Sequence, residues 1–261
     1  MLKILFPMTP KKKDAMGTQI CRIKSQSTHT YYAVRIKEDT FTARNMDEED
    51  LAKAYKLRHQ IFAEQLSWVP RTENKLEIDK YDCYSIHFGV FDKGELVAYL
   101  RLIMSENQFM IENEFIGLIS RDHTIRKFHD TAEVSRLCIS QRRDSYKPIL
   151  TDYGTYDIVM LLYKCVYNWC KKNRIRYLYA VIAQQLFRLT RARGFPCNPV
   201  GAFTDMPGGV TAVAVIMDWR DFEKRNALKK RTMLAWFNRA QSDRDRPLLP
   251  RLDICSPRQA F

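Results

Sequence analysis

Residues His87–Phe91 and Glu95–Met104 form two strand-like runs, rich in β-branched and aromatic side chains, on either side of Asp92-Lys93-Gly94. A short glycine-containing turn between two such runs closes an antiparallel hairpin. The middle of the chain is thereby committed to a sheet, and the flanking elements must cover it. Tyr31–Ile36 reads as a short strand before it. A helix is expected from Asn45–Asp47, where a capping residue precedes the acidic turn Asp47-Glu48-Glu49-Asp50, and Leu51, Tyr55, Arg58 and Phe62 follow at helical spacing. It ends before Ser67-Trp68-Val69-Pro70, and residues 67–84 form a polar loop. After the hairpin come a strand at Thr131–Ile139, a long helix from Asp152 to Lys172 and a strand at Arg176–Ile182. A helix at Gln184–Arg193 closed by Gly194, a strand at Thr211–Trp219 and a basic helix from Asp221 to Ala240 complete the order. It predicts an α+β fold in one domain: a mixed, mostly antiparallel sheet flanked by helices.

The 261 residues carry a net charge of +13, and the excess is not spread evenly. Residues 1–37 hold eight basic side chains and one acidic, and residues 220–251 hold ten and four, whereas residues 38–219 hold 24 of each. We therefore expect a basic N-terminal extension over 1–40, with 1–28 peripheral, a neutral catalytic-sized domain over 41–219, and a basic C-terminal helix and tail over 220–261. A balanced core is not the footprint of a nucleic-acid-binding fold, and nucleic acid is not an expected partner. No apolar run reaches the length needed to span a bilayer, and Met1–Pro7 is too short for a signal peptide, so a cytoplasmic protein is expected. Seven scattered cysteines without CxxC or Cys/His spacing predict reduced thiols and no metal site.

Charged residues in apolar settings mark the chemistry. Arg58 sits on the apolar stripe of its helix between Tyr55 and Phe62, and a buried guanidinium requires partners. Candidate partners follow in the loop Leu76-Glu77-Ile78-Asp79-Lys80-Tyr81-Asp82. Arg101 interrupts the second hairpin strand. Glu133 and Arg136 share a strand but stand three residues apart, so a regular pleat would send them to opposite faces. Either they serve different sides of the sheet or a β-bulge re-aims one of them.

Taken in order, Arg58, Phe62, Trp68, Asp79, Asp82, Arg101, Glu133 and Arg136 resemble the signature of the acyl-homoserine-lactone (LuxI-type) autoinducer synthases, which have a GNAT-like, three-layer α/β/α acyltransferase fold. The resemblance covers roughly residues 45–219. It implies transfer of a fatty acyl group from acyl carrier protein or acyl-CoA to the amine of S-adenosylmethionine, then lactone closure with release of methylthioadenosine, for quorum sensing. No cofactor is implied beyond S-adenosylmethionine as substrate. The implied catalytic residues are Glu133, as base toward the amine, and Arg136, which holds the acyl-pantetheine in a cleft between neighbouring strands. Asp79 and Asp82 suit the cations of S-adenosylmethionine, while Arg58 and Arg101 suit its carboxylate or order the acidic loop. Trp68 and Phe62 suit the sulfonium or adenine. For the acyl pocket we expect Met104, Phe115 and Val181, with Phe109, Met110 and Leu186 as further candidates. Val181-Ile182-Ala183 lacks the Ser or Thr that accompanies 3-oxo chains in the family.

Two departures stand out. The chain extends beyond the family pattern at both ends, and the stretch Gln141–Pro148 after the Glu133 strand lacks the glycine-rich pyrophosphate loop of GNAT enzymes, which favours a carrier-protein donor. The rival readings are an N-acyl amino acid synthase, which would not need so acidic a loop, and a catalytically silent GNAT-like binding module, which would not need Glu133.

Overall fold

The computed structural model describes residues 31–141, 147–206 and 208–239. The expectations for 1–28, for most of the Gln141–Pro148 stretch and for the tail beyond 239 lie outside the described residues. The strands are β1 (Arg35–Glu38), β2 (Phe41–Asn45), β3 (Ser85–Asp92), β4 (Glu95–Met104), β5 (Thr131–Ile139), β6 (Ile149–Thr151), β7 (Gly154–Tyr156), β8 (Tyr177–Ala183), β9 (Asn198–Pro199), β10 (Thr204–Met206) and β11 (Val210–Asp218). The helices are α1 (Glu48–Arg58), α2 (Ile158–Lys172), α3 (Gln184–Ala192), α4 (Trp219–Lys229) and α5 (Arg231–Asn238).

One sheet runs β1-β2-β3-β4-β5-β8-β11-β10, with β9 also on β11, and β6 and β7 form a separate hairpin. Every neighbouring pair in the large sheet is antiparallel except β5 and β8, which are parallel. A parallel pair needs a crossover, and the chain between β5 and β8 supplies it through α2. The β3–β4 turn is a two-residue loop between paired Asp92 and Glu95. Lys93 and Gly94 both take positive φ, 50° and 87°, the geometry that matches strand twist in tight hairpins.

β5 and β8 are in register only from Thr131 with Tyr177 to Val134 with Ala180. Both strands continue, β5 to Ile139 and β8 to Ala183, but they no longer pair. The sheet is therefore split at this point. Leu178, Ile182, Val215 and Met217 on the α2 side belong to the main core, whereas Tyr179, Val181, Ala212 and Ala214 join a second core beneath Phe109, Met110 and Phe115.

Several elements depart from the sequence expectation: the strand expected at Tyr31–Ile36 lies at Arg35–Glu38, the short β9 and β10 had no counterpart, and three further departures have a local cause or signal. The long helix starts at Ile158, capped by the Asp157 side chain accepting from the Met160 amide at 2.9 Å, because Gly154 (φ 124°) turns the preceding residues into the β6–β7 hairpin. The expected C-terminal helix is two, broken at Lys230 (φ −141°, ψ 55°). β2 was not anticipated, although its alternation of buried and half-buried residues is that of a half-buried strand.

Gly201 fastens the turn that carries Phe115. A Cβ there would lie 1.9 Å from the Leu118 carbonyl oxygen, beside the bond from the Ser120 amide to the Val200 carbonyl. Gly201→Ala is expected to cost about 1–3 kcal/mol through backbone overpacking, read as a lowered Tm. An unchanged Tm would contradict this contact.

Candidate active site

The helix that begins as α1 continues past Arg58 with π-helical geometry over His59–Gln65. Such widened turns are frequent at functional sites. Arg58 and Phe62 project from this junction toward the sheet, and neither is exposed. Arg58 donates to Glu77 and, at 2.5 Å, to Asp82 Oδ1. Arg101 donates through Nη1 to Asp79 Oδ1 (2.6 Å) and Asp82 Oδ1 (2.5 Å), through Nη2 to Asp79 Oδ2 (2.8 Å) and through Nε to Ser135 Oγ (2.8 Å). Arg136 Nη2 meets Glu77 Oε1 at 3.0 Å and Asp79 Oδ2 at 2.8 Å. Three guanidiniums and three carboxylates thus cancel in formal charge.

Burial alone would lower the Arg58 pKa, but the carboxylates of Glu77, Asp82 and Asp79 outweigh it and hold the group cationic. Burial likewise opposes ionisation of Asp79 and Asp82. Arg101, with Arg136 for Asp79 and Arg58 for Asp82, overcomes it and keeps both below the usual carboxylate range. The acidic loop also binds itself, with the Asp79 amide donating to Asp82 Oδ2 and the Tyr81 amide to Asp79 Oδ1.

Arg136 reaches this cluster because β5 carries one extra residue. Tyr99 pairs with Cys138 and Arg101 with Ser135, so two β5 residues oppose one on β4. Arg136 itself takes φ 56°. The bulge was one of the two alternatives left open by the spacing, and it sets Arg136 on the same face as Glu133 and Ser135.

Glu133 is 1% exposed and faces the second core. Its Oε2 accepts from the Met110 amide at 2.5 Å and its Oε1 from the Ile111 amide at 3.2 Å. Burial pushes its pKa up to about 8, partly countered by those two amides and by Arg101. The carboxyl therefore titrates near neutrality, where a proton acceptor works best.

A cavity opens where β5 and β8 part, with about 130 Å³ accessible to the centre of a water molecule. Glu133, Arg136, Phe62 and Met110 border it on the acidic-loop side, and Leu178, Met217, Phe195 and Trp219 line its depth on the α2 side. It threads the sheet. Of the expected acyl-pocket residues, Phe115, Val181, Met110 and Leu186 line it. Met104 and Phe109 do not. Met104 pairs with Ala132, at the closed end of the β4–β5–β8 region, and packs into the main core. Phe109 packs toward Tyr179, ring centroids 6.2 Å apart. Phe62 and Trp68 stack at 6.0 Å, and the Arg136 guanidinium lies 5.7 Å from the Phe62 ring.

A family model for autoinducer synthases matches residues 42–228. The chain belongs to that family. The family's match carries acyltransferase chemistry with it: curated relatives are acyl-homoserine-lactone synthases, among them one from Vibrio anguillarum, 21% identical over 162 residues, 61% of this chain and 81% of the relative. Two solved acyl-homoserine-lactone synthases share the fold. LasI is 21% identical with a TM-score of 0.57 over 74% of this chain and 91% of its own. BjaI, a CoA-dependent enzyme solved with SAM and isopentyl-CoA, is 20% identical with a TM-score of 0.57 over 73% and 92%. The GNAT-like fold expected of this synthase is thus the observed one. Among the described residues no helix is long and apolar enough to cross a membrane.

Two further residues, His87 and Tyr99, adjoin the charged cluster and escaped the sequence reading. His87 Nδ1 lies 2.7 Å from the Tyr99 hydroxyl and Nε2 lies 3.2 Å from the Asp82 carbonyl oxygen. Burial pulls the His87 pKa down to about 4, so the ring is neutral and props the acidic loop from below. A histidine inside an apolar strand, two residues after Ser85, was the available signal.

Proposed function

We propose that this chain transfers a fatty acyl group from a pantetheine thioester to the α-amine of S-adenosylmethionine and then closes the lactone. The observation that carries this reading is the placement of Glu133, titrating near pH 8, at the mouth of an apolar cavity beside the Asp79–Asp82 loop. The substrate α-amine has a pKa of about 7.7–8.0, so it needs only a modest base, reached directly or through one water. The amine nitrogen attacks the thioester carbonyl, its proton passes to Glu133, and as the carbon–sulfur bond breaks that proton moves on to the departing sulfur, releasing the pantetheine thiol and restoring the carboxylate. Arg136, at the same mouth, stabilises the oxyanion and anchors the pantetheine arm. The substrate carboxylate then displaces neutral methylthioadenosine from the γ-carbon.

Asp79 is the most exposed of the three carboxylates, with 15% of its side-chain surface open, and receives the ammonium and sulfonium charge together with Asp82. Arg58 and Arg101 hold those carboxylates in place. Stacked Phe62 and Trp68 offer ring faces to the sulfonium or adenine. The donor is proposed to be acyl carrier protein, since Gln141–Pro148 has no glycine with which to cradle a pyrophosphate. Acyl-CoA, the donor in BjaI, is the other candidate.

Expression in a bacterium that makes no acyl-homoserine lactone, followed by mass spectrometry of culture extracts, tests the reading. Acyl-homoserine lactones are the expected products. Acyl amino acids in their place would overturn the amine assignment, and neither product would overturn the reaction.

A further inference from the structure

The family match ends at residue 228, yet α5 (231–238) is built into the core: Trp236 and Phe237 are fully buried. Its position is fixed by a buried ion pair from the opposite flank of the match. Glu38 of β1 accepts from Lys164 Nζ of α2 at 2.6 Å and from Trp236 Nε1 at 2.8 Å. The Lys164 ammonium is fully buried and lies 4.6 Å from the Trp236 ring centroid, while Tyr156 stacks flat on the Trp236 indole at 4.0 Å. A buried charge pair persists where its remaining hydrogen bonds are met, and this one defines one seat for α5. Asn168 Nδ2, donating to the Phe237 carbonyl at 2.9 Å, and the Tyr167 hydroxyl, 2.7 Å from Asn238 Oδ1, fasten the same helix to α2.

That seat abuts the deep end of the cavity. Phe195 and Trp219 line the end, and Phe237 packs on Phe195 with ring centroids 6.0 Å apart without lining the cavity itself. Phe222 packs beside all three, 4.9 Å from Phe195, 5.4 Å from Trp219 and 5.3 Å from Phe237. We propose that α5, locked by Glu38 and Lys164, is the stop that sets how long an acyl chain the cavity accepts, acting through Phe237 against Phe195. This rests on the acyl-transfer reading for its substrate, but the stop is a property of the cavity.

Removing the Phe237 ring leaves space into which Phe195 can retreat, and each methylene admitted to an apolar pocket changes discrimination by about tenfold or more. Purified Phe237→Ala and Phe237→Leu are therefore compared with the unaltered chain in two assays. One is turnover of hexanoyl and dodecanoyl thioesters with S-adenosylmethionine. The other is displacement of a dansyl-labelled fatty acid by hexanoic and dodecanoic acid. For Phe237→Ala the dodecanoyl-to-hexanoyl ratio of kcat/KM is expected to rise at least tenfold, with hexanoyl turnover within threefold of the original. If that variant does not fold, Phe237→Leu decides at a threefold rise. A ratio within twofold of the original in both assays overturns the stop while leaving the reaction intact. No turnover by the unaltered chain, together with a shifted displacement ratio, overturns the reaction and supports the stop.

Discussion

Glu133→Gln is expected to lower kcat by about 10²–10⁴-fold, the range for loss of a general base, while S-adenosylmethionine binding measured by calorimetry stays within a few-fold. The substitution keeps the side-chain volume, and the amide oxygen can still accept from the Met110 amide that now bonds Glu133. What is lost is the proton acceptor. The remaining protein should also change its response to pH. Glu133 has its folded-state pKa raised from 4.5 to about 8, so its contribution to stability is full below 4.5 and is lost as pH rises through 8. His87 works in the other sense, since its pKa is depressed from 6.5 to about 4 and its contribution fades only as pH falls below 6.5. The window from pH 6.5 to 8 therefore reports Glu133, lying above the His87 range and below the point at which the buried thiols of Cys138, Cys165, Cys170 and Cys197, raised from 9.0, begin to contribute. Across it the Tm of the unaltered chain should fall, and the Tm of Glu133→Gln should not follow. Activity has the opposite slope, rising through pH 8 as the carboxylate forms. Lost binding with retained turnover would remove Glu133 from the role of base, and parallel Tm curves would remove the buried-carboxyl account.

Strands β4 and β5 were legible to the residue because each is a long apolar run with turn residues at both ends. The cluster of Arg58 with Glu77, Asp79 and Asp82 was also legible, because a guanidinium on an apolar stripe demands partners and an acidic loop follows it. The bulge at Arg136 could only be posed as an alternative, since a positive φ at a non-glycine residue leaves no mark in the sequence. His87 shows a related limit. Extending the Asp92–Glu95 turn with regular pairing would set His87 opposite Leu100, but a register shift at Val90/Phe91 sets it opposite Arg101. Met104 failed as a pocket residue for a topological reason. Alternation identifies its face of β4, whereas only the end of β5–β8 pairing determines where along that face the cavity opens. The α4–α5 break was hidden by helix-compatible side chains around Lys230, where backbone geometry decides, whereas the β6–β7 hairpin did leave a signal, turn and strand formers in Thr151-Asp152-Tyr153-Gly154-Thr155-Tyr156, that the reading absorbed into the helix.

Arg58 is the residue whose loss should cost the most stability. It is fully buried, and its guanidinium is shared between Glu77 and Asp82, with Asp79 3.7 Å away. Arg58→Met fills the space and removes the charge, leaving carboxylates paired only through Arg101 and Arg136. Breaking a buried ion pair on one side costs about 3–5 kcal/mol, and for a domain of this size that is a Tm decrease on the order of 10 °C. Arg58→Lys should recover little of it, because a single ammonium cannot span Glu77 and Asp82 as the planar fork does. The decisive comparison is the double variant Arg58→Met with Asp82→Asn. If the cost arises from a stranded carboxylate, the second substitution removes part of it and the pair couples by about 0.5–3 kcal/mol. If Arg58 merely fills volume, the two losses add. A Tm within 2 °C of the original for Arg58→Met alone would return Arg58 to the class of surface arginines, whose replacement is worth about 0.5 kcal/mol or less. The acidic loop would then have to be ordered by Arg101 and Arg136 without it.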